Sequence, residues 1–155
     1  MTDRQDDIST LNTLTATLID SVTGFEDAAA NIEGESRLKE LFRERASERN
    51  RVVEELRSEV RRLGGKPEDD GSFLGKSHQR FLDLKSVVTG HDEKAIINEV
   101  ERGEDYLKEK FETALQGSTL SGESRAVVER AYQSVRSGHD QVSALKHGFE
   151  SNTNA

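Results

Sequence analysis

Apolar residues recur at three- and four-residue spacing through Ile8, Leu11, Leu14, Leu18, Val22, Phe25, Ala29 and Ile32, and this period predicts an amphipathic helix over about 8–32. After the short break Gly34-Glu35-Ser36, a second stripe runs through Leu38, Phe42, Val52, Leu56, Val60 and Leu63. So short a break predicts that this second helix, from about Arg37 to Leu63, returns antiparallel to the first. Gly64-Gly65-Lys66-Pro67 stops it. A polar stretch follows, and Ser72 can cap a shorter helix from Phe73 to about Val88 that carries Phe73, Leu74, Phe81, Leu82, Leu84 and Val87. Gly90-His91-Asp92 leads into a third long helix, Glu93 to about Gln116, with the stripe Ile97, Val100, Leu107, Phe111 and Leu115. Gly117 ends it, and Ser121 can cap a fourth helix bearing Val128, Ala131, Val135, Val142, Leu145 and Phe149.

Four long helices in two hairpins, joined by a connection long enough to cross the bundle, predict an all-α fold with ferritin-like topology. A plain up-and-down bundle needs only short loops, whereas one long helical crossover sets the second and third helices parallel. The expected unit is a single domain over 8–150, with polar tails at 1–7 and 151–155.

Two places break the pattern. In the run Glu101-Arg102-Gly103-Glu104-Asp105, Glu104 takes a turn of the third helix's apolar stripe, and a carboxylate there points into a core. Arg45 and Arg49 fall at the centre of the second stripe, again where a hydrophobe is expected. Charged groups are almost never buried without a partner or a metal, so these positions ask for an explanation beyond packing. Gly24, Gly103 and Gly138 also sit inside helices, each costing about 1 kcal/mol relative to alanine. Gly138, on the fourth stripe, is the one best placed for close approach. Gly24 lies with Asp20 and Asp27 on the face of the first helix away from the core, where a crossover segment or a second subunit can pack.

Composition narrows the function classes. Hydrophobic residues make up only 32 % and charged residues 34 %, which suits thin amphipathic helices around a narrow core better than a sheet sandwich. The net charge of −8 opposes nonspecific attraction to nucleic acid or anionic membranes. The richest basic stretch, Arg43 to Lys66, is interleaved with Glu44, Glu48, Glu54, Glu55 and Glu59 and reads as a salt-bridged helix face. The absence of cysteine excludes disulfides and thiolate chemistry. No signal peptide or membrane span is expected, and a cytoplasmic protein is the default. Neither a Gly-x-Ser-x-Gly elbow nor a phosphate-binding loop occurs.

The string Glu101-Arg102-Gly103-Glu104-Asp105 with Phe111 and Ala114-Leu115, the segment Asp20-x-x-x-Gly24-Phe25-x-x-Ala28-Ala29, and Gly64-Gly65-x-Pro67 followed by Gly71-Ser72 resemble an uncharacterised bacterial family. It is a ferritin-like four-helix-bundle family known as a domain of unknown function. The segment Ser77-His78-Gln79-Arg80-Phe81-Leu82-Asp83-Leu84-Lys85 is similar to its His-Arg-x-Trp-x-Asp-Leu-Lys pattern, with Gln79 in place of Arg and Phe81 in place of Trp. The resemblance extends from about 10 to 117 and is loose over the fourth helix. It implies a ferritin-like fold in a bacterial cytoplasmic protein and brings no established activity.

A di-iron carboxylate centre in such a bundle needs a Glu from each of two helices and a Glu-x-x-His pair from each of the others. Here Glu48-x-x-Arg51 stands where Glu-x-x-His is expected, and Arg136 precedes His139 where a Glu is needed. His78, His91 and His147 lie elsewhere. A degenerate iron or manganese site would draw on Glu26, Glu48, Glu104 and His139, with oxygen or peroxide chemistry as the alternative function. The competing expectation is a buried ion network in which Arg45 and Arg49 answer Glu104, with Glu101 or Glu26 as a further acid, because arginine's planar fork binds a carboxylate through two hydrogen bonds. The favoured expectation is therefore a bundle without enzymatic activity or cofactor, of structural or stress-related role, with salt bridges in place of a metal. A homodimer is expected. An apolar patch at Phe73, Leu74 or Phe81 would instead mark a partner-binding adaptor.

Overall fold

The computed structural model describes residues 2–69, 93–117 and 120–153. They form four helices: α1 (Thr2–Ala30), α2 (Arg37–Arg62), α3 (Glu93–Gln116) and α4 (Gly122–Thr153), with no strand among the described residues. The expected crossover helix over 73–88, its cap Ser72, the patch at Phe73, Leu74 and Phe81, and His78 and His91 lie outside the described residues.

The helices are longer than their apolar stripes. α1 begins at Thr2, so the segment expected as an N-terminal tail is helical. The reason lies at Asp7, which is buried and accepts a hydrogen bond from the Ser121 hydroxyl at 2.6 Å, tying this end of α1 to the start of α4. α4 likewise runs on to Thr153.

Local chemistry sets the ends. Ser36 is the N-cap of α2, its hydroxyl accepting the Lys39 N–H at 3.2 Å. At the other end Gly64 takes φ +84°, a left-handed conformation that favours glycine. Its N–H reaches Arg61 O while the Gly65 N–H reaches Val60 O, the paired bonds of a Schellman stop. Gly65 packs beneath Ile8, whose Cδ1 would stand 2.9 Å from any Cβ added there. Ser121 offers α4 its backbone carbonyl, which accepts from Arg125 N, but its hydroxyl goes to Asp7 instead of capping. The Arg125 guanidinium in turn donates to Leu115 O and Gly117 O, closing the carbonyl end of α3.

Contacts between the helices fix their directions. Ser21 meets Arg49, Phe25 meets Phe42, and Asn12 bonds Lys66 O and Glu68 N, so α1 and α2 are antiparallel. Glu101 with Lys146, Asp105 with His139 and Glu112 with Tyr132 make α3 and α4 antiparallel. Arg45 with Gln141, Glu48 with Ser134 and Glu59 with Ser124 make α2 and α4 antiparallel. It follows that α2 and α3 run parallel, and that the end of α2 and the start of α3 lie at opposite ends of the bundle.

The core is one cluster drawn from all four helices, including Leu11, Leu18 and Phe25, Phe42 and Leu56, Ile96, Ile97, Leu107 and Phe111, and Val128, Val135 and Val142. α1 is buried around most of its circumference: Thr15, Ala16 and Thr17 are covered as fully as Leu14 and Leu18. The threonines tolerate this because the hydroxyls of Thr15 and Thr17 donate to the carbonyls of Leu11 and Thr13 one turn back.

Candidate functional site

All four helices meet at one polar level in the middle of the core. Arg49 of α2 and Glu104 of α3 are each 1 % exposed and joined by two parallel hydrogen bonds of 2.7 Å, Nη1 to Oε1 and Nη2 to Oε2. Arg49 Nη1 also donates to Ser21 Oγ of α1 at 2.5 Å. The guanidinium carbon lies 5.3 Å from the centre of the Phe25 ring, a cation–π distance. α4 contributes an absence of side chain: a Cβ on Gly138 would overlap Arg49 Nη2 and stand 3.4 Å from Glu104 Oε2.

These parts answer the cost of burial together. Two unpaired charges in a core would each cost several kcal/mol, on the order of the whole stability of a small domain, so the pair persists only with near-complete compensation. Glu104 has both oxygens engaged, and Arg49 has its terminal nitrogens on Glu104 and Ser21. The geometry is bidentate, which lysine cannot reproduce.

The remaining predicted residues are not brought to this level. Arg45 does not answer Glu104; its Nε donates to Gln141 Oε1 at 2.6 Å and its Nη1 to Glu48 Oε2 at 2.9 Å. Both partners lie nearer the bundle edge, where Arg45 remains 13 % exposed. Glu101 accepts from Lys146 Nζ at 2.8 Å between α3 and α4. Of the four metal candidates, Glu26 is exposed on α1, and Glu48 is held by Arg45 and by the Ser134 hydroxyl at 2.7 Å. His139 places Nε2 2.6 Å from Asp105 Oδ1 and Nδ1 3.3 Å from Asp140 Oδ1. Glu104 is closed off by Arg49, whose positive charge stands where a cation would sit. Among the described residues, no three His, Asp or Glu side chains converge in a way that could hold a metal ion, so this donor set does not fit the carboxylate and imidazole cage of a metal centre.

Three of the described acids away from this level have shifted proton affinities, among them Glu112, held low by the Tyr132 hydroxyl. Glu59, nearly buried, is held well below the usual carboxylate range by its hydrogen bonds to Arg62, reinforced by the Ser124 hydroxyl. Arg62 binds it through Nε at 2.8 Å and Nη2 at 2.6 Å. Asp20, on α1, is pushed up to about 6 by burial. Along the seam between α2 and α4 runs an open groove of about 590 Å³, lined by residues that include Val52, Val127, Arg51, Glu55, Arg62 and Arg130.

Ser21 was not marked by the sequence pattern, although its place between Leu18 and Phe25 on a buried helix was a signal of a hydroxyl facing inward. Glu59 gives none, because a polar residue at the edge of a stripe looks solvated, whereas Asp20 stands on the face of α1 expected to be covered by a packing segment.

A family model described as a domain of unknown function (DUF2383) matches residues 6–117. That span carries Ser21, Phe25, Arg49 and Glu104, while Gly138 lies beyond it. A search of curated proteins finds no match to the chain. No described helix is long and apolar enough to cross a membrane.

Proposed function

The chain belongs to the DUF2383 family, and on that footing we propose that it is a non-enzymatic, ferritin-like bundle in which an arginine–glutamate pair takes the place of a metal centre. One observation carries the reading: Arg49 and Glu104 satisfy each other at the level where α1, α2, α3 and α4 all meet. The parallel run of α2 and α3 supports the ferritin-like part, since a long crossover is what such a bundle requires. The pair serves to fix the helices' relative register, because a one-turn slip would leave two charges buried without partners. The molecule is then a rigid helical scaffold of structural or stress-related role. A bacterial cytoplasmic setting and a homodimeric state belong to the same reading, the first resting on the family resemblance alone.

Elemental analysis tests it. Protein purified without chelator, and again after anaerobic incubation with ferrous iron or manganese, should hold no stoichiometric metal. One or two tightly held ions per chain that disappear in Glu104→Ala would overturn the proposal in favour of a metalloprotein.

A further inference from the structure

Ala16 stands two and a half turns from Phe25, on the opposite side of α1, yet it is as fully covered as the core. It belongs to a row of residues four apart: Asn12, Ala16, Asp20 and Gly24. A step of four residues slightly overshoots a helical turn, so such a row winds around its helix. α1 packs between α2 and α3, and this row winds from the α2 side across the back of α1 to the α3 side. Asp20 is half-buried and Gly24 buried, whereas Thr23 and Asp27, off the row, are exposed. On α3, Glu99 is also buried, although it lies about 140° around the helix from Glu104. The faces of α2 and α4 turned away from the core are open, with Ser47, Glu54 and Ser58 exposed on the first and Glu129, Gln133 and Ala144 on the second. The covered back face is that of α1 and its border with α3.

The chain itself leads onto this row. After the Gly64 stop, Asn12 Nδ2 donates to Lys66 O at 3.0 Å and Asn12 Oδ1 accepts from Glu68 N at 2.9 Å. Arg57 donates to Glu68 O and Asp69 O, so the chain reaches Asp69 beside the first residue of the row. Glu93 waits at the opposite end of the bundle and on α3, the side to which the row runs. The 24 residues of α3 measure about 36 Å, well within the reach of the roughly 23 residues from 70 to 92. That stretch carries Phe73, Leu74, Phe81, Leu82, Leu84 and Val87, apolar groups suited to the small surfaces of Ala16 and Gly24. We propose that residues 70–92 dock along the row from Asn12 to Gly24, crossing the back of α1 from the α2 side to the α3 side, with apolar side chains over Ala16 and Asp20. Burial alone pushes the Asp20 carboxyl up to about 6, as an apolar cover does and a cation would not. The α1 face is then taken by the chain's own crossover and closed to a second subunit, so self-association uses another face. The proposal rests on the parallel run of α2 and α3 and not on the pairing of Arg49 with Glu104, so it stands or falls apart from the role of that pair.

Because the chain has no cysteine, a nitroxide can be placed at one chosen position. Paramagnetic broadening in the isotopically labelled whole chain tests the proposal, with the label on Asp27→Cys, beside the row, or on Gln133→Cys, on the outer face of α4. Both positions are exposed, so neither label disturbs the core. The expected result is loss of amide signals from within 70–92 with the label on Asp27→Cys and full intensity for the same signals with the label on Gln133→Cys. The reverse pattern, or full intensity with both labels, would overturn it. A mixture of spin-labelled Asp27→Cys protein without isotope and isotope-labelled protein without nitroxide separates the chain's own segment from a second copy. The signals should keep their intensity in that mixture, and their loss there would give the α1 face to a second subunit and overturn the proposal.

Discussion

Gly138 and Arg49 occupy complementary space: the α4 position that lacks a side chain is the one against which the terminal nitrogen of the α2 guanidinium rests. Ordinarily a glycine inside a helix is a small defect, and alanine would stabilise it by about 1 kcal/mol. Here the helix gives up that gain so that an ion pair can lie flat in the core.

Gly138→Ala should therefore destabilise the bundle, against its helix propensity, by about 1–3 kcal/mol, the usual cost of overpacking. Denaturant unfolding of the variant checks this. The penalty should shrink when Gly138→Ala is combined with Arg49→Met, whose narrower end leaves room for the methyl group. Equal penalties in both backgrounds would show that Arg49 is not what the glycine accommodates.

Glu59 predicts an acid-side loss of stability. Its carboxyl is held low in the folded state by Arg62 and Ser124, so its contribution is present above the unfolded value of 4.5 and is lost as pH falls through the folded value. Melting temperatures measured from neutral pH down to about pH 3 should fall less steeply in Glu59→Gln than in the parent. Parallel curves would mean that the Arg62 contact is too solvated to matter.

Asp20 predicts the opposite slope. Burial raises its carboxyl from 3.8 to about 6, so the folded state binds the proton more tightly than the unfolded chain. The stabilisation is full below the unfolded value and is lost as pH rises through about 6. Asp20→Asn should thus gain on the parent between about pH 4 and pH 7, and the Asp20 carboxyl carbon should titrate near 6 by NMR. A midpoint near 3.8 would show that the side chain is hydrated.

Much of this architecture is legible in the chain because helix period and glycine punctuation are local signals. The expected start of the third helix at Glu93 and of the second at Arg37 match the structure. Glu104 and Arg49 were visible for the same reason, as charges standing in apolar stripes. Arg45 stood in the same stripe and found another partner, because a long side chain near the edge of a helix can turn toward whichever acceptor lies nearest, here Gln141 and Glu48. The N-terminal turn looks like a tail in the sequence because its residues are polar, and only the tertiary contact of Asp7 with Ser121 shows why it stays helical. Ser21 needed the same kind of information, since a serine gives no periodic signal of the guanidinium it will meet.

The most direct test is a double-mutant cycle on the central pair, using Arg49→Met, Glu104→Leu and the two together, read by denaturant unfolding. Each single variant should lose about 3–5 kcal/mol, because each strands a buried charge, whereas the double variant should recover most of that loss or exceed the parent. Losses that simply add, or single variants as stable as the parent, would contradict the account of Arg49 and Glu104 as mutually dependent charges at the centre of the bundle.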